Sequence, residues 1–534
     1  MVGEARGQWQ AAPAGARPAE AASPRANADP LLTIEGLSKR FPGVVANEAV
    51  TLKVARQQIH ALVGENGAGK STLVKLIYGL LRPDAGAMSL AGEPYQPHSP
   101  AEARAKGVGM VFQHFSLFEG LTVAENIALG MDGQRADKGL RQRIASLSAA
   151  YGLKLDPARQ VGFLSVGERQ RVEIVRCLLG SPRLIIMDEP TSVLTPQEVE
   201  ALFAILRRLV REGCSILYIS HKLEEIKSLC QRATILRAGR LVAELDPRQE
   251  SIEGMAAMML GGALPGLRRL PEPVVGPTRL RVSGLNLGKQ QQFGVDLSAI
   301  DFAVTGGEIL GIAGIAGNGQ RELLAALTGE RLSATAASIE IDGIGVGRAS
   351  PAQRRALGLC SVPEERLAEA SVADMRLWEN ALLTAHARLP VQRRGLIDRT
   401  RLRAFARRVV DEFAVNPRGS ETRAGRLSGG NLQKFLVGRE VLQTPGVLVV
   451  AQPSWGVDVG SAVTIHQRLI AEARAGAAVL VISQDLDELF AIADRIAVLA
   501  HGRLSPPRPV AALTAAGLGL GMAGRAPSAE AAHA

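Results

Sequence analysis

Hydrophobic positions along the chain gather into short unbroken runs. Leu184-Ile185-Ile186-Met187 and Val447-Leu448-Val449-Val450-Ala451 are the most continuous, and Ile59-His60-Ala61-Leu62-Val63 and Ile216-Leu217-Tyr218-Ile219 are similar. Short apolar runs bounded by polar residues predict parallel strands buried on both faces. A helical pattern, Leu73-Val74-Lys75-Leu76-Ile77, follows the first of them, so the fold class expected is α/β. Leu402, Phe405, Val409 and Phe413 fall at helical spacing around the arginine-rich stretch Arg393 to Arg408, which therefore reads as a solvated amphipathic helix rather than a nucleic-acid patch. No run approaches the roughly 18 to 20 apolar residues of a membrane-spanning helix.

The pattern occurs twice. Gly64-Glu65-Asn66-Gly67-Ala68-Gly69 returns as Gly314-Ile315-Ala316-Gly317-Asn318-Gly319, and Leu164-Ser165-Val166-Gly167-Glu168 as Leu427-Ser428-Gly429-Gly430-Asn431. Asp188-Glu189-Pro190 is matched by Ala451-Gln452-Pro453, and Ser220-His221 by Ser483-Gln484. Order is kept, which predicts a duplicated domain of roughly 230 to 240 residues. The boundaries expected are a disordered extension (1–30), a first domain (31–263), a turn-rich linker (264–278), a second domain (279–504) and a flexible tail (505–534).

The chemistry lies in the loops after the strands. In the first copy a strand runs into Gly64-Glu65-Asn66-Gly67-Ala68-Gly69-Lys70-Ser71-Thr72 and then a helix, the setting a P-loop requires. Its glycines let backbone N–H groups converge on phosphate oxygens at a helix N-terminus. Lys70 is placed to reach the β- and γ-phosphates of ATP, and the Ser71 hydroxyl to ligate Mg²⁺. Asp188 and Glu189, two carboxylates ending a strand, suit a metal ligand and a residue polarising the attacking water.

Gln113, the Leu164-Ser165 motif that opens a helix, and His221 after a buried strand complete the set. P-loop, glutamine loop, Leu-Ser-Gly-Gly-type signature, Asp-Glu-Pro and switch histidine, in this order, resemble an ABC ATPase, twice over. The resemblance implies two tandem P-loop NTPase domains, each with a RecA-like core and a helical subdomain. It implies that Phe41 stacks on adenine, that Gln113 senses Mg²⁺ and the attacking water, and that His221 contacts the γ-phosphate. It also implies that the cassettes close head-to-tail within the one chain, each nucleotide lying between one P-loop and the other signature.

The two copies are unequal. In the second, Gln320 and Arg321 stand at the lysine and hydroxyl positions, Ala451 and Gln452 at the carboxylates, Glu364 at the glutamine and Gln484 at the histidine. Its signature, with Ser428, Gly429 and Gly430, is intact, whereas the first copy carries Val166 where the family has glycine. One hydrolytic site is expected, from the P-loop of copy one and the signature of copy two.

Tandem cassettes with a decayed second site resemble the ATPase subunit of simple-sugar and nucleoside importers, and Ala451-Gln452-Pro453 resembles the nucleoside branch. That implies two integral-membrane permease subunits as separate chains, an extracytoplasmic solute-binding protein, and a place on the cytoplasmic face of the inner membrane. A soluble tandem ABC protein acting on ribosomes or DNA is the alternative class, but no charged linker, coiled coil or zinc insertion is present, and no nucleic-acid partner is expected. Composition adds little: 46% hydrophobic and 21% charged residues suit a globular chain, and the net charge of +10 fits a basic surface or polyanionic partners. Four scattered cysteines argue for reduced thiols and against a structural zinc.

Overall fold

The computed structural model describes residues 30–522, except 43, 66, 113–114, 132, 192–193, 263–275, 291–293, 387, 394–395 and 418. In the first half, the strands order as Arg240–Leu245, Arg232–Arg237, Ile59–Val63, Ser215–Ile219, Leu184–Asp188 and Val108–Val111. All neighbours are parallel except the first pair. The second half repeats this order with Arg495–Ala500, Ile309–Ala313, Ala478–Ser483, Val447–Ala451 and Leu359–Val362. An antiparallel sheet built on Pro30–Phe41 and Val44–Ala55 covers one face of the first sheet, and Thr278–Leu287 with Leu297–Thr305 does so for the second.

The apolar runs are strands because both faces are covered. Leu184, Ile185, Ile186 and Met187 are all fully buried, and alternate residues feed two different cores: Leu184 and Ile186 pack under the antiparallel sheet, Ile185 and Met187 against the helices. The helical subdomains are Val123–Leu129, Lys138–Ala150 and Val166–Leu178 in the first half, and Leu377–Ala385, Arg399–Glu412 and Gly429–Val441 in the second. The arginine-rich stretch is helical from Arg399 to Glu412 only, with Leu402 and Val409 buried and Arg407 and Arg408 exposed, whereas Arg393 lies in the short strand Gln392–Arg393 that pairs with Leu396–Ile397.

The expected boundaries need correction at three places. The first strand already includes Pro30, and the strand Thr278–Leu287 begins inside the expected linker. Residues 505–522 are not a flexible tail. Arg508–Pro509 pairs with Arg495–Ala500, and the helix Ala515–Met522 buries Leu518 and Met522 in the core of the second half. The small residues that read as tail let this helix lie close: a methyl on Gly519 would come within 2.6 Å of Gln197 Oε1, and one on Gly521 within 3.5 Å of Val498. The remainder of the extension (1–29), the linker residues 264–275 with residue 263 before them, and the remainder of the tail (523–534) lie outside the described residues.

Candidate functional site

The loop after Ile59–Val63 wraps the N-terminus of the helix Lys70–Ile77. Gly64 has φ +158 and Gly69 φ +98, and a methyl on either would fall 2.3 Å from a backbone oxygen, of Leu236 and Ala46 respectively. Only glycine fits at these two positions. Ala68 and Lys70 are buried, Gly67 and Ser71 exposed, and Glu65 and Thr72 half-buried; Asn66 lies outside the described residues. Lys70 Nζ donates to Gly64 O (2.6 Å) and Glu65 O (3.0 Å), so the ammonium sits inside the loop. Burial lowers its pKa, while Glu189, Asp188, Asp458 and Glu65 favour its charge.

Asp188 ends its strand and Glu189 follows with φ 47, an uncommon conformation for a residue with a side chain. Gln452 has φ 49 at the same point of the second half, so the strained turn belongs to the fold and not to the chemistry. Burial, reinforced by Glu189, pushes the Asp188 carboxyl up to about 6, against the pull of Lys70. His221 Nδ1 lies 3.1 Å from Glu189 Oε1. Buried Glu225 ties the two strand ends together, accepting from Thr191 Oγ1 (2.7 Å), Tyr218 OH (2.8 Å) and Ser220 Oγ (3.3 Å). Among the described residues no group of three or more His, Cys, Asp or Glu gathers as a metal cage. The chemistry of the donor set, two adjacent half-buried carboxylates whose charge reaches Lys70, the chain neighbour of Ser71, nonetheless fits Mg²⁺, which takes one or two carboxylates plus substrate phosphates.

Lys70, Asp188, Glu189 and His221 are thus brought together. Gln113 lies outside the described residues. Phe41 closes the strand Pro30–Phe41 with 40% of its surface exposed and the Lys39 ammonium 5.8 Å from its ring centre, so it is not a core aromatic. Ser428 and Gly429 are exposed at the start of the helix Gly429–Val441, with Gly430 buried behind them.

Charged residues of the second half reach the first half's loop. Lys434 and Asp458 both act electrostatically on Glu65, and Asp458 also acts on Lys70. A methyl on Gly460 would lie 3.2 Å from Leu260 and 3.8 Å from Glu65 Oε1. Lys222, beside His221, faces Asp485 and Asp487, and Gln197 Nε2 donates to Ala516 O (3.0 Å). Sequence reasoning missed Lys434, Asp458 and Glu225 as site residues. Asp458 carries a signal, as the residue that caps the helix after Ala451-Gln452-Pro453, accepting from Ser461 N at 2.8 Å.

The second loop is filled by its own side chains. Gln320 Oε1 accepts from Asn318 N (3.1 Å) and its Nε2 donates to Ile315 O (2.7 Å), while Asn318 Nδ2 donates to Met522 O (3.0 Å). Arg321 pairs with Glu369 at 2.7 Å. Gln452 Oε1 turns to the Gln484 N–H at 3.3 Å.

The family profile described as "ABC transporter" matches residues 48–192. The chain is 38% identical over 472 residues to the nucleoside import ATP-binding protein NupA of Lactococcus lactis subsp. cremoris, covering 88% of this chain and 93% of that one. It is also 38% identical over 484 residues to the ribose import ATP-binding protein RbsA 1 of Streptomyces avermitilis, covering 90% and 91%. In fold it is similar to the archaeal ribosome recycling factor aABCE1, with a TM-score of 0.59 and 18% identity over 89% of this chain and 90% of that one. With its two P-loop folds, its assembled first loop and relatives matching it almost end to end, the chain belongs to the import ATP-binding subunits of ABC transporters, ATPases coupled to transport.

Proposed function

We propose that the chain energises the import of nucleosides, using one hydrolytic site built from the first P-loop and the second signature. Gly64, Glu65, Asn66, Gly67, Ala68, Gly69, Lys70, Ser71 and Thr72 hold the phosphates of ATP, Phe41 stacks on adenine, and Ser428, Gly429 and Gly430 close on the γ-phosphate. Ser71, Asp188 and Gln113 hold Mg²⁺, whose charge offsets that of the phosphates. Glu189 polarises the attacking water and His221 contacts the γ-phosphate. The observation that carries this reading is the placement of Asp458 and Lys434, two elements of the second half, against Glu65 and Lys70.

The nucleoside assignment rests on Ala451-Gln452-Pro453 and on the likeness to the nucleoside import protein. A ribose-type sugar is the second reading, supported by an equal identity to the ribose import protein. The chain works from the cytoplasmic face of the membrane, docked on two permease subunits that an extracytoplasmic binding protein loads. Among the described residues no helix is long and apolar enough to cross a membrane. Exposed Phe118 and Leu129 in the first helical subdomain, and Leu367 and Leu383 in the second, support docking there. Uptake of labelled guanosine, uridine and ribose, with and without the gene, tests the substrate. Deletion is expected to remove nucleoside uptake; loss of ribose uptake alone would move the chain to the sugar branch.

A further inference from the structure

Arg366 lies four positions past the strand Leu359–Val362, where the first half has Phe115 after Val108–Val111. A methyl on Gly429 would come within 2.7 Å of Arg366 Nη1, and one on Gly456 within 3.4 Å of Nη2. The guanidinium is therefore wedged between the first turn of the helix Gly429–Val441 and the loop that leads to Asp458, which faces Lys70. Burial depresses its pKa, and the charge that offsets this is that of its chain neighbour Glu365. A half-buried cation is costly unless an anion meets it. It stands beside exposed Ser428 and Gly429, at the N-terminus of a 13-residue helix whose partial positive charge also favours an anion. The first half has lost both partners together, with Phe115 and Val166 in place of Arg366 and Gly429.

We propose that Arg366 is a catalytic residue acting across the two halves: with ATP on the Lys70 loop, its guanidinium donates to a γ-phosphate oxygen in the gap beside Gly429. This rests on the one-site reading above. In the reaction the water oxygen forms the new bond to the γ-phosphorus. The bridging P–O bond breaks with its electron pair going to ADP, and the water proton passes to Glu189. Arg366 keeps its protons and neutralises charge on the transferring phosphoryl group, as guanidinium groups do in other phosphoryl-transfer sites.

The test compares Arg366→Ala, Arg366→Lys and Lys70→Ala in the full chain. Arg366→Ala is expected to lower kcat by about 10²-fold, with KM for ATP changed by no more than about threefold. It should also abolish trapping of ADP with vanadate, Arg366→Lys should fall between, and added guanidinium should restore part of the lost turnover. If Lys70→Ala keeps its turnover, the one-site reading itself fails. If Lys70→Ala is inactive while Arg366→Ala keeps more than about half of wild-type kcat, only the present inference is overturned. It is equally overturned if Arg366→Ala loses ATP affinity and thermal stability along with turnover and guanidinium restores nothing, since the side chain would then be holding the loops and not the phosphate.

Discussion

At the scale of single residues the two halves act as each other's control. His60 is fully buried in the first central sheet, 2.8 Å from Thr234 Oγ1, at the place where the second sheet has Leu310 and, at the position matching Thr234, Ala497. Burial, helped by Arg232, pushes its pKa down to about 3. The folded value lies below the unfolded one, so the stability it permits is full above about pH 6.5 and is lost as pH falls, at up to about 1.4 kcal/mol per pH unit. The double variant His60→Leu with Thr234→Ala is expected to flatten the fall in denaturation midpoint between about pH 6.5 and 5; an unchanged pH slope would show that other groups carry it. Gln320 makes a second comparison. Lys70 holds its loop with a charged ammonium that a phosphate can draw on, whereas Gln320 is neutral and already satisfies the Asn318 N–H with its own carbonyl oxygen. Equilibrium dialysis with a non-hydrolysable ATP analogue should therefore find one nucleotide per chain, and two would contradict the filled second loop.

Among the elements, the helix Ala515–Met522 does most to join the halves. Its backbone meets Gln197 of the first half at Ala516 O and Asn318 of the second loop at Met522 O, while Leu518 and Met522 anchor it in the second core. Leu518→Ala leaves a cavity at that anchor and is expected to cost about 2–4 kcal/mol, measured by urea unfolding. A cost below about 0.5 kcal/mol would mean that the helix is not held by its core face. The capping boxes at Thr122, Ser165 and Thr195 are legible in the sequence as Thr or Ser with Glu three residues on, and each marks where a helix starts. The C-terminal helix has no such signal. It is rich in Ala and Gly and has no charged residue, so its identity comes from what it packs against.

At the scale of the whole molecule, function depends on which loop meets which signature. Lys222 facing Asp485 and Asp487, and Glu65 facing Lys434, set the two halves in one register. On the proposed one-site reading exposed Ser428 serves the first loop, so Ser428→Arg is expected to lower ATPase turnover by at least about 10²-fold, while Ser165→Arg, serving the second loop, should retain most of it. Equal losses in two folded variants would separate the good signature from the good loop.

The sequence by itself determined the duplication, the α/β class, the buried strands and the glycine loop, and it named Lys70, Asp188, Glu189 and His221, which the fold brings together. These are local properties: a run buried on both faces must be apolar, and a loop with no room for Cβ at Gly64 and Gly69 must be glycine. Tertiary structure alone decided that Asp458 and Lys434 face Glu65, that Arg366 stands behind Gly429, that Glu225 binds both strand ends, and that residues 505–522 form part of the second core. All but part of the Glu225 network are contacts between segments far apart in the chain. Asp458, Lys434, Arg366 and Glu225 are polar, and Leu518 and Met522 stand among Ala and Gly, so none shows a periodicity that marks a partner before the chain has folded.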